Sequence, residues 1–460
     1  VSKGRMSAGA LIARPAIGAG SISHEHALSS RALLIAQAAL WCGMFILYFC
    51  SPVLQMSDSQ YTMLTAESII RNHTPDLSGF RIKHYQDDLP FNTISGTHAY
   101  QLVRVNGRLL YGFPHGTSIL SLPFVGLMDA MGVSPATRDG DYNLPGEVAD
   151  QKLLAALLMA SLTVIFLRTS LILLDLRWSI VIALGAGLAT PLWSTASRGM
   201  WSHSWEILLC GIVIGVLLSA IVNGSSPRPI LLATLLSWMF FVRPTAAADV
   251  LCVSVLFMGR WRRDFLRFAT TGTFWLFAFI AYSERIFGSV VPFYYAPSRA
   301  SSKSLAVGLM GNLVSPSRGL FVFCPILLVV LVLVVSRWRA LTSQALALIA
   351  LLAIALITLS AATYPVWWGG YCYGPRFLTD AIPWFVLLAI LALAATREEY
   401  RRLHTPTVMV GAFLLVFSIA INARGALAMA TFDWNDKRPI PALMFDWSRP
   451  QFLAGLIDER

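Results

Sequence analysis

The sequence is short of charge. Asp, Glu, Lys and Arg together make up 13% of its 460 residues, about half of the roughly 25% that soluble domains carry. Hydrophobic residues make up 56%, and they recur in apolar runs of about 20 residues, the length that a helix needs to cross a bilayer. These features exclude a soluble enzyme and a disordered chain. We therefore predict an all-α polytopic membrane protein.

Acidic residues are scarcer than basic ones, with 24 Asp and Glu against 35 Lys and Arg. In a soluble protein this excess would suggest nucleic acid, but no RNP, zinc-finger or basic-zipper pattern is present, so we predict no nucleic-acid partner. The excess is typical of cytoplasmic membrane loops and of contact with lipid phosphates.

Cysteine is also scarce, with six in the chain. All but Cys372 fall in apolar runs, which excludes a disulfide framework. No cluster of His, Cys, Asp and Glu with metal-ligand spacing is present. We predict no metal and no other cofactor, while a divalent metal remains an open alternative.

The apolar runs set the domain organisation. We predict that a cytoplasmic segment, 1–31, precedes the first run and forms part of a signal anchor. The predicted membrane domain covers 32–423, and a predicted external tail covers 424–460. Arginine clusters near 260–267, 337–339 and 397–402 predict cytoplasmic loops. The clear spans lie near 32–51, 153–174, 178–196, 205–222, 266–286, 318–336, 342–362, 379–396 and 406–423.

Two further apolar stretches have alternative topologies. The stretch 228–258 is interrupted by Arg243 and Pro244, so it is either one kinked helix or a hairpin of two short helices. The stretch 117–131 either spans the membrane or lies on its outer surface. An arginine at mid-bilayer is costly and proline cannot donate a helical hydrogen bond, so we favour the hairpin with a surface helix. The prediction is about 11 spans and a large external loop, 52–152, that carries surface helices.

Asp58 directly follows the first span, in the sequence Asp58-Ser59-Gln60-Tyr61. A carboxylate partly withdrawn from water at the membrane surface suits a general base, and Tyr61 is a candidate substrate contact. The alternative is a helix N-cap, since Asp before a helix is a common start. His115 and His203 also lie at predicted interfaces, where a histidine charge can switch near neutral pH. The alternative is an interfacial histidine whose hydrogen bonds are satisfied. We take His203 as a second candidate catalytic group.

Outward-facing arginines and aromatics recur in the second half. Arginines outside, against the positive-inside trend, suggest an anionic ligand such as a lipid phosphate. Neighbouring Trp and Tyr offer flat faces for sugar rings. The alternative is an aromatic belt with snorkelling arginines. The candidate substrate-binding residues, with His115 and Tyr61, are Arg243, Lys303, Arg318, Trp368, Tyr373 and Arg376.

The order of these motifs resembles the type-C (GT-C) membrane glycosyltransferases, especially the protein O-mannosyltransferase and lipid A aminoarabinose transferase branch. An acidic residue opens the first external loop, as in Asp58-Ser59-Gln60-Tyr61, with Ser59 in place of a frequent second acid. Phe113-Pro114-His115-Gly116 corresponds to a Pro-Pro turn, and Lys152 stands where an arginine is frequent. Arg376 and Pro383 match a late Arg-Phe…Pro element.

The resemblance implies a sugar transferase of the bacterial inner membrane. Such enzymes take a sugar from a polyprenyl-phosphate donor at the outer face and transfer it, with inversion, to an acceptor hydroxyl on a glycan, lipid or protein. It implies Asp58 as the base, with Arg376 holding the phosphate that leaves. Paired carboxylates of the glycosidase kind are not needed.

Two other classes remain as alternatives. A secondary transporter would predict inverted repeats and interrupted helices rather than a large external loop after the first span. Another polyprenyl-lipid enzyme, an O-antigen ligase or polymerase, would also use external arginines, but its large loop usually lies late in the chain.

Overall fold

The computed structural model describes residues 30–82, 100–299, 305–396, 405–437 and 441–457. Two short strands lie early in the chain, β1 (Leu102–Val105) and β2 (Arg108–Tyr111), and the remaining regular structure is mainly helical. The α-helices are α1 (Ser30–Cys50), α2 (Thr62–Asn72), α3 (Gly116–Ala130), α4 (Leu144–Ser170), α5 (Leu176–Leu188), α6 (Ser202–Val222), α7 (Pro229–Val242), α8 (Ala247–Arg260), α9 (Phe265–Phe287), α10 (Leu305–Val314), α11 (Leu320–Phe323), α12 (Ile326–Ser336), α13 (Gln344–Thr363), α14 (Ile382–Thr396), α15 (Thr405–Leu427) and α16 (Ala430–Lys437).

Seven helices in the described part of the chain are long and apolar enough to cross a membrane. They are α1, α4, α6, α9, α13, α14 with its preceding 3-10 turn, and α15. Five shorter apolar helices accompany them, because proline and polar residues interrupt several of the apolar runs. The predicted class, an all-α polytopic membrane protein, is confirmed. The number of about 11 spans and the side on which each loop lies stay predictions.

The stretch 228–258 forms two helices, as in the favoured hairpin. Helix α7 ends where Arg243 adopts an extended conformation (φ −155°, ψ 124°), and Pro244 opens the turn that leads into α8. At the far end, the indole N–H of Trp261 donates to the carbonyl of Ser225 over 2.9 Å. Because Ser225 precedes α7 and Trp261 follows α8, both open ends lie at the same end of the bundle and the Arg243 turn lies at the other.

Helix α3 lies across that other end of the bundle. It starts against the end of α7, where a Cβ on Gly116 would lie 2.4 Å from the carbonyl oxygen of Phe241. Its middle accepts a hydrogen bond from Trp205, near the start of α6, at Ser121 (3.0 Å). At 15 residues it is about 22 Å long, too short for a core of about 30 Å. Its position relative to the membrane stays a prediction.

The region between α1 and α4 also contains a β-hairpin that the sequence analysis did not predict. Strands β1 and β2 pair antiparallel around Asn106 and Gly107, both with positive φ (50° and 79°). Asn-Gly with positive φ at both positions is the most favoured two-residue hairpin turn. The hairpin packs with α2 around a small core that includes Tyr61, Leu64 and Leu109.

A buried arginine joins the segment before α6 to the end of α1. Arg198 donates to the carbonyls of Ser51 (2.8 Å) and Tyr48, at the end of α1. The last carbonyls of a helix have no partner within that helix, so Arg198 caps α1. This contact fixes the segment 199–203 beside the residues that follow α1.

Candidate active site

Asp58 lies in the turn between α1 and α2 and is held by three side chains. One carboxylate oxygen, Oδ2, forms an ion pair with Nη2 of Arg376. The other, Oδ1, accepts the hydroxyl of Tyr100 at 2.7 Å, and Tyr111 donates to the Asp58 backbone carbonyl at 2.5 Å. Burial, with the nearby Asp58 carboxylate, raises the pKa of Tyr100 well above its ordinary value, so its hydroxyl stays protonated and donates.

The helix-cap alternative for Asp58 does not match this geometry. The N-cap position of α2 is Tyr61, in a left-handed conformation, and no side-chain cap bond is formed there. The Asp58 carboxylate faces Arg376 and Tyr100 instead. About a quarter of the Asp58 side chain is exposed, so a substrate can reach it.

Arg376 is buried, and one of its three side-chain nitrogens makes no hydrogen bond to the described residues. Its side chain is 4% exposed, Nη1 donates to the carbonyl of Gly369 at 3.0 Å, and the guanidinium stacks over the indole of Trp201 at 3.8 Å. Its Nε has no hydrogen-bond partner among the described residues. An unmade hydrogen bond on a buried group is costly, so this N–H is available to a ligand.

A small pocket beside these groups shares part of its wall with a larger aromatic cavity. The wall of the pocket includes both charged partners, Asp58 and Arg376, and the indole of Trp201. Phe113 and Tyr294 are shared with a neighbouring cavity of about 290 Å³ whose lining is mostly aromatic. The pocket is lined by Asp58, Ser59, Thr62, Tyr111, Phe113, Pro114, Thr117, Met200, Trp201, Ser202, Tyr294 and Arg376.

Asp380 organises a second cluster one turn after Arg376. Its Oδ1 lies 2.5 Å from Nδ1 of His203, and its Oδ2 accepts from Nε of Arg243 (2.5 Å) and from Thr245 (2.9 Å). The structure therefore brings His203 and Arg243 together through a carboxylate that the sequence analysis did not single out. Since Asp380 and Arg376 share one short segment, the two clusters are mechanically linked.

Two more buried acids lie beside this cluster. Asp249 accepts the indole N–H of Trp384 at 2.6 Å, and both carboxylate oxygens of Glu206 lack a hydrogen-bond partner among the described residues. These residues were also missed. The available signal was their charge, because acids within apolar spans are rare and usually mark a function.

Arg318 is placed away from the pocket. Its guanidinium donates to the side chains of Gln451 and Asn435 and to the carbonyls of Trp368 and Gly370. It also reaches the carbonyl of Ser317. These contacts tie the C-terminal residues to the loop before Arg376.

Three predicted aromatic contacts also face other neighbours. The Tyr61 ring packs against Tyr142 at 4.9 Å, in the small core between α2 and the β-hairpin. Tyr373 is fully buried and donates to the carbonyl of Ile421 (2.7 Å). Trp368 is half-buried against Trp367. Lys303, the remaining predicted substrate contact, lies outside the described residues.

His115 lines the aromatic cavity with both ring nitrogens paired. Nε2 lies 2.8 Å from the carbonyl of Tyr111, to which it donates, and Nδ1 lies 2.6 Å from the hydroxyl of Tyr282. Burial lowers the pKa of His115 to about 4. The prediction that its charge switches near neutral pH is therefore wrong, because the buried ring stays neutral there.

The pocket contains aromatic residues that the sequence analysis did not single out as candidates. Tyr111, at the end of β2, and Tyr294, in the loop after α9, line the pocket, and Tyr100, just before β1, contacts Asp58. Within the described ranges, no group of three or more His, Cys, Asp or Glu side chains is arranged to hold a metal ion.

Neither a known protein family nor a curated protein matches this sequence. Among solved structures, the chain is similar to the crystal structure of ArnT from Cupriavidus metallidurans bound to undecaprenyl phosphate. The TM-score is 0.45 and the identity 13%, over 92% of this chain and 76% of that chain. The TM-score and the identity are both low, so this likeness carries no functional conclusion.

Proposed function

We propose that this protein is a membrane glycosyltransferase that takes a sugar from a polyprenyl-phosphate donor and transfers it to an acceptor hydroxyl. The observation that supports it most is the buried Arg376, which has an unused N–H and lies beside the Asp58 carboxylate at the wall of a pocket. Such a site pairs a group that binds phosphate with a group that can accept a proton.

Arg376 would hold the leaving phosphate. A guanidinium binds phosphate through two parallel N–H bonds, and both Nε and Nη2 are on the edge that faces Asp58. Charge that develops on the phosphate as its bond to the sugar breaks is stabilised most where water is excluded. The burial of Arg376 provides that environment.

Asp58 would act as the base. In the structure it is the counter-ion of Arg376, and a donor phosphate competes for the same guanidinium. Once the phosphate takes that place, the Asp58 carboxylate is available to the acceptor. The acceptor oxygen attacks the anomeric carbon and gives its proton to Asp58. The bond to the phosphate oxygen breaks, and polyprenyl phosphate leaves with the electron pair, so the sugar is transferred with inversion.

The neighbouring residues support a lipid-linked donor. The aromatic cavity of about 290 Å³ shares Phe113 and Tyr294 with the wall of the pocket, and its apolar lining suits a hydrocarbon chain or the face of a sugar. Arg243 and His203 would support the site through Asp380, with His203 Nε2 as a second candidate proton acceptor because it has no partner among the described residues. We place the reaction at the outer face of a bacterial inner membrane, with a glycan, lipid or protein as acceptor.

The test is sugar transfer by the Asp58→Asn variant. Asn keeps the shape and one acceptor oxygen but cannot take a proton, so we expect transfer from a labelled polyprenyl-phosphate donor to fall by about 10²-fold or more. Binding of the donor lipid should persist. The matched control is Asp139→Asn, an exposed acid, which should keep wild-type turnover. Wild-type turnover in Asp58→Asn would remove Asp58 from the mechanism.

A further inference from the structure

The C-terminal residues fold back onto the loop before Arg376, and Gln451 is the centre of that contact. The Gln451 side chain is fully buried. Its amide donates to the carbonyls of Cys372 and Thr431, each at 2.9 Å. Its carbonyl oxygen accepts from Arg318 and from the backbone N–H of Gly374 at 3.1 Å. One side chain thus satisfies four groups from three segments.

Arg318 holds the same loop from the opposite side. Its Nε donates to the carbonyl of Trp368 at 2.7 Å and its Nη2 to that of Gly370 at 3.3 Å. Nη2 also donates to Asn435, in α16, at 2.8 Å. Residues 368–374 are therefore fixed by a pair of side chains, Gln451 and Arg318, that bond to each other.

The loop needs such support because of its backbone. Gly369, Gly370 and Gly374 all have left-handed φ (78°, 67° and 58°), a region that glycine enters without a steric cost. Three glycines also give the unfolded loop high conformational freedom. Within the described residues the loop 366–375 belongs to no helix or strand. Contacts from outside the loop therefore help to define its shape.

The same loop positions both partners of the pocket. The carbonyl of Gly369 accepts a hydrogen bond from Nη1 of Arg376, and this bond helps to fix the orientation of the guanidinium. The carbonyl of Tyr371 accepts the hydroxyl of Ser57, next to Asp58, at 3.3 Å. A displacement of the loop moves Arg376 and the Asp58 turn together.

We propose that Gln451 is a positioning residue for Arg376. It does not line the pocket; it acts by holding residues 372–374, and thereby the guanidinium, in the orientation that receives the donor phosphate. The C-terminal residues thus complete the site instead of only covering one end of the bundle. This inference rests on the proposed transferase function for its catalytic consequence, but the structural link to Arg376 can be measured without it.

The expected effect is on turnover. A misplacement of about 1 Å in a reacting geometry can cost about 10²-fold. Gln451→Ala removes the hydrogen bonds but leaves Arg318 in place, so we expect kcat to fall by about 10-fold or more per folded molecule. Gln451→Glu keeps an acceptor for Arg318 and for the Gly374 N–H, but it places a carboxylate oxygen against the carbonyls of Cys372 and Thr431, which lose their donor, so it should also lower turnover. The matched control is Gln344→Ala, an exposed glutamine whose amide contacts Trp338.

The experiment measures sugar transfer and backbone hydrogen exchange of residues 366–377 in full-length wild type and variants in detergent. We expect faster exchange and lower kcat in Gln451→Ala, and neither change in Gln344→Ala. In the Arg376→Lys background, Gln451→Ala should reduce turnover by a smaller factor than in the wild type, because the group it positions has already been altered.

A merely structural role would give other results. Unchanged exchange in 366–377, or fully multiplicative effects of the two substitutions on turnover, would overturn the proposal. If the wild type transfers no sugar at all, the proposed function fails. The positioning role is then tested by hydrogen exchange alone, in variants that fold. If the amides of 366–377 are as well protected in the variant as in the wild type, the positioning role is wrong. If Gln451→Ala does not fold, Gln451→Glu supplies the same comparison.

Discussion

Two buried arginines of this protein, Arg318 and Arg376, have opposite surroundings. Arg318 is 1% exposed and donates from all three of its nitrogens to neutral oxygens of the backbone, Gln451 and Asn435. Arg376 is 4% exposed, pairs with a carboxylate, stacks on an indole and leaves Nε unpartnered among the described residues. Burial is the same, but the hydrogen bonding is not.

The difference separates an arginine that holds the structure from one that can bind. A guanidinium with every donor satisfied has nothing to offer a ligand without losing bonds it already makes. A guanidinium with an unpartnered Nε, whose Nη2 pairs with a partly exposed carboxylate, can exchange one anion for another. Sequence position alone had suggested phosphate binding for both residues; their hydrogen-bond partners favour Arg376.

The largest expected effect is the loss of stability in Arg318→Lys. An ammonium has three donors against the five of guanidinium, and several buried carbonyls would lose their partner at about 1–3 kcal/mol each. We expect the free energy of unfolding to fall by about 3 kcal/mol or more. Denaturant unfolding of the purified protein in detergent measures this.

The matched control for Arg318→Lys is Arg228→Lys, at an exposed position. That substitution should change stability by less than about 0.5 kcal/mol. If Arg318→Lys proved as stable as Arg228→Lys, the hydrogen bonds around Arg318 would contribute nothing to folding, and the contrast with Arg376 would disappear.

The next effect is on donor binding in Arg376→Lys. Lysine keeps the charge opposite Asp58 but loses the planar fork that binds phosphate through two bonds. We expect affinity for polyprenyl phosphate to fall by about 10- to 100-fold, which corresponds to about 1.4–2.7 kcal/mol, with little change in stability. Binding of a fluorescent polyprenyl phosphate reports it. Equal affinity in wild type and variant would make Arg376 a structural partner of Asp58 and nothing more.

Asp58 and Arg376 were both visible in the sequence as candidates, since each stands beside an apolar run and in a motif. Their contact was not visible, because it joins positions 318 residues apart. The break at Arg243-Pro244 was predictable for a local reason: an arginine and a proline within one apolar run disfavour a continuous buried helix.

Other features depend on packing that local patterns do not encode. Gln451 has no motif, and its importance comes from three segments that meet in space. The β-hairpin was predictable in principle, because Asn106-Gly107 is the strongest short hairpin signal. The apolar composition of the chain as a whole favours helices and does not indicate a hairpin. Asp380 could have been identified as an acid at the start of an apolar span.

His115 extends the comparison to a buried group that is satisfied and neutral. Its pKa is lowered by burial to about 4, against an ordinary value of 6.5. Between these values the unfolded chain binds a proton that the folded protein does not, so stability falls as the pH decreases from 6.5 towards 4 and is unaffected by this residue above 6.5. The expected loss is about 1.4 kcal/mol per pH unit in that window.

The measurement compares wild type with His115→Gln, whose amide can replace the bond to the Tyr111 carbonyl but does not titrate. The other histidines are the same in both proteins, so the difference between the two pH profiles of unfolding isolates His115. Between pH 6.5 and 5.5 the wild type should lose about 1 kcal/mol more than the variant. Identical profiles would mean that His115 takes up its proton in the folded protein as readily as in the unfolded chain. The aromatic cavity would then be open to water, and a lipid chain would not be its natural occupant.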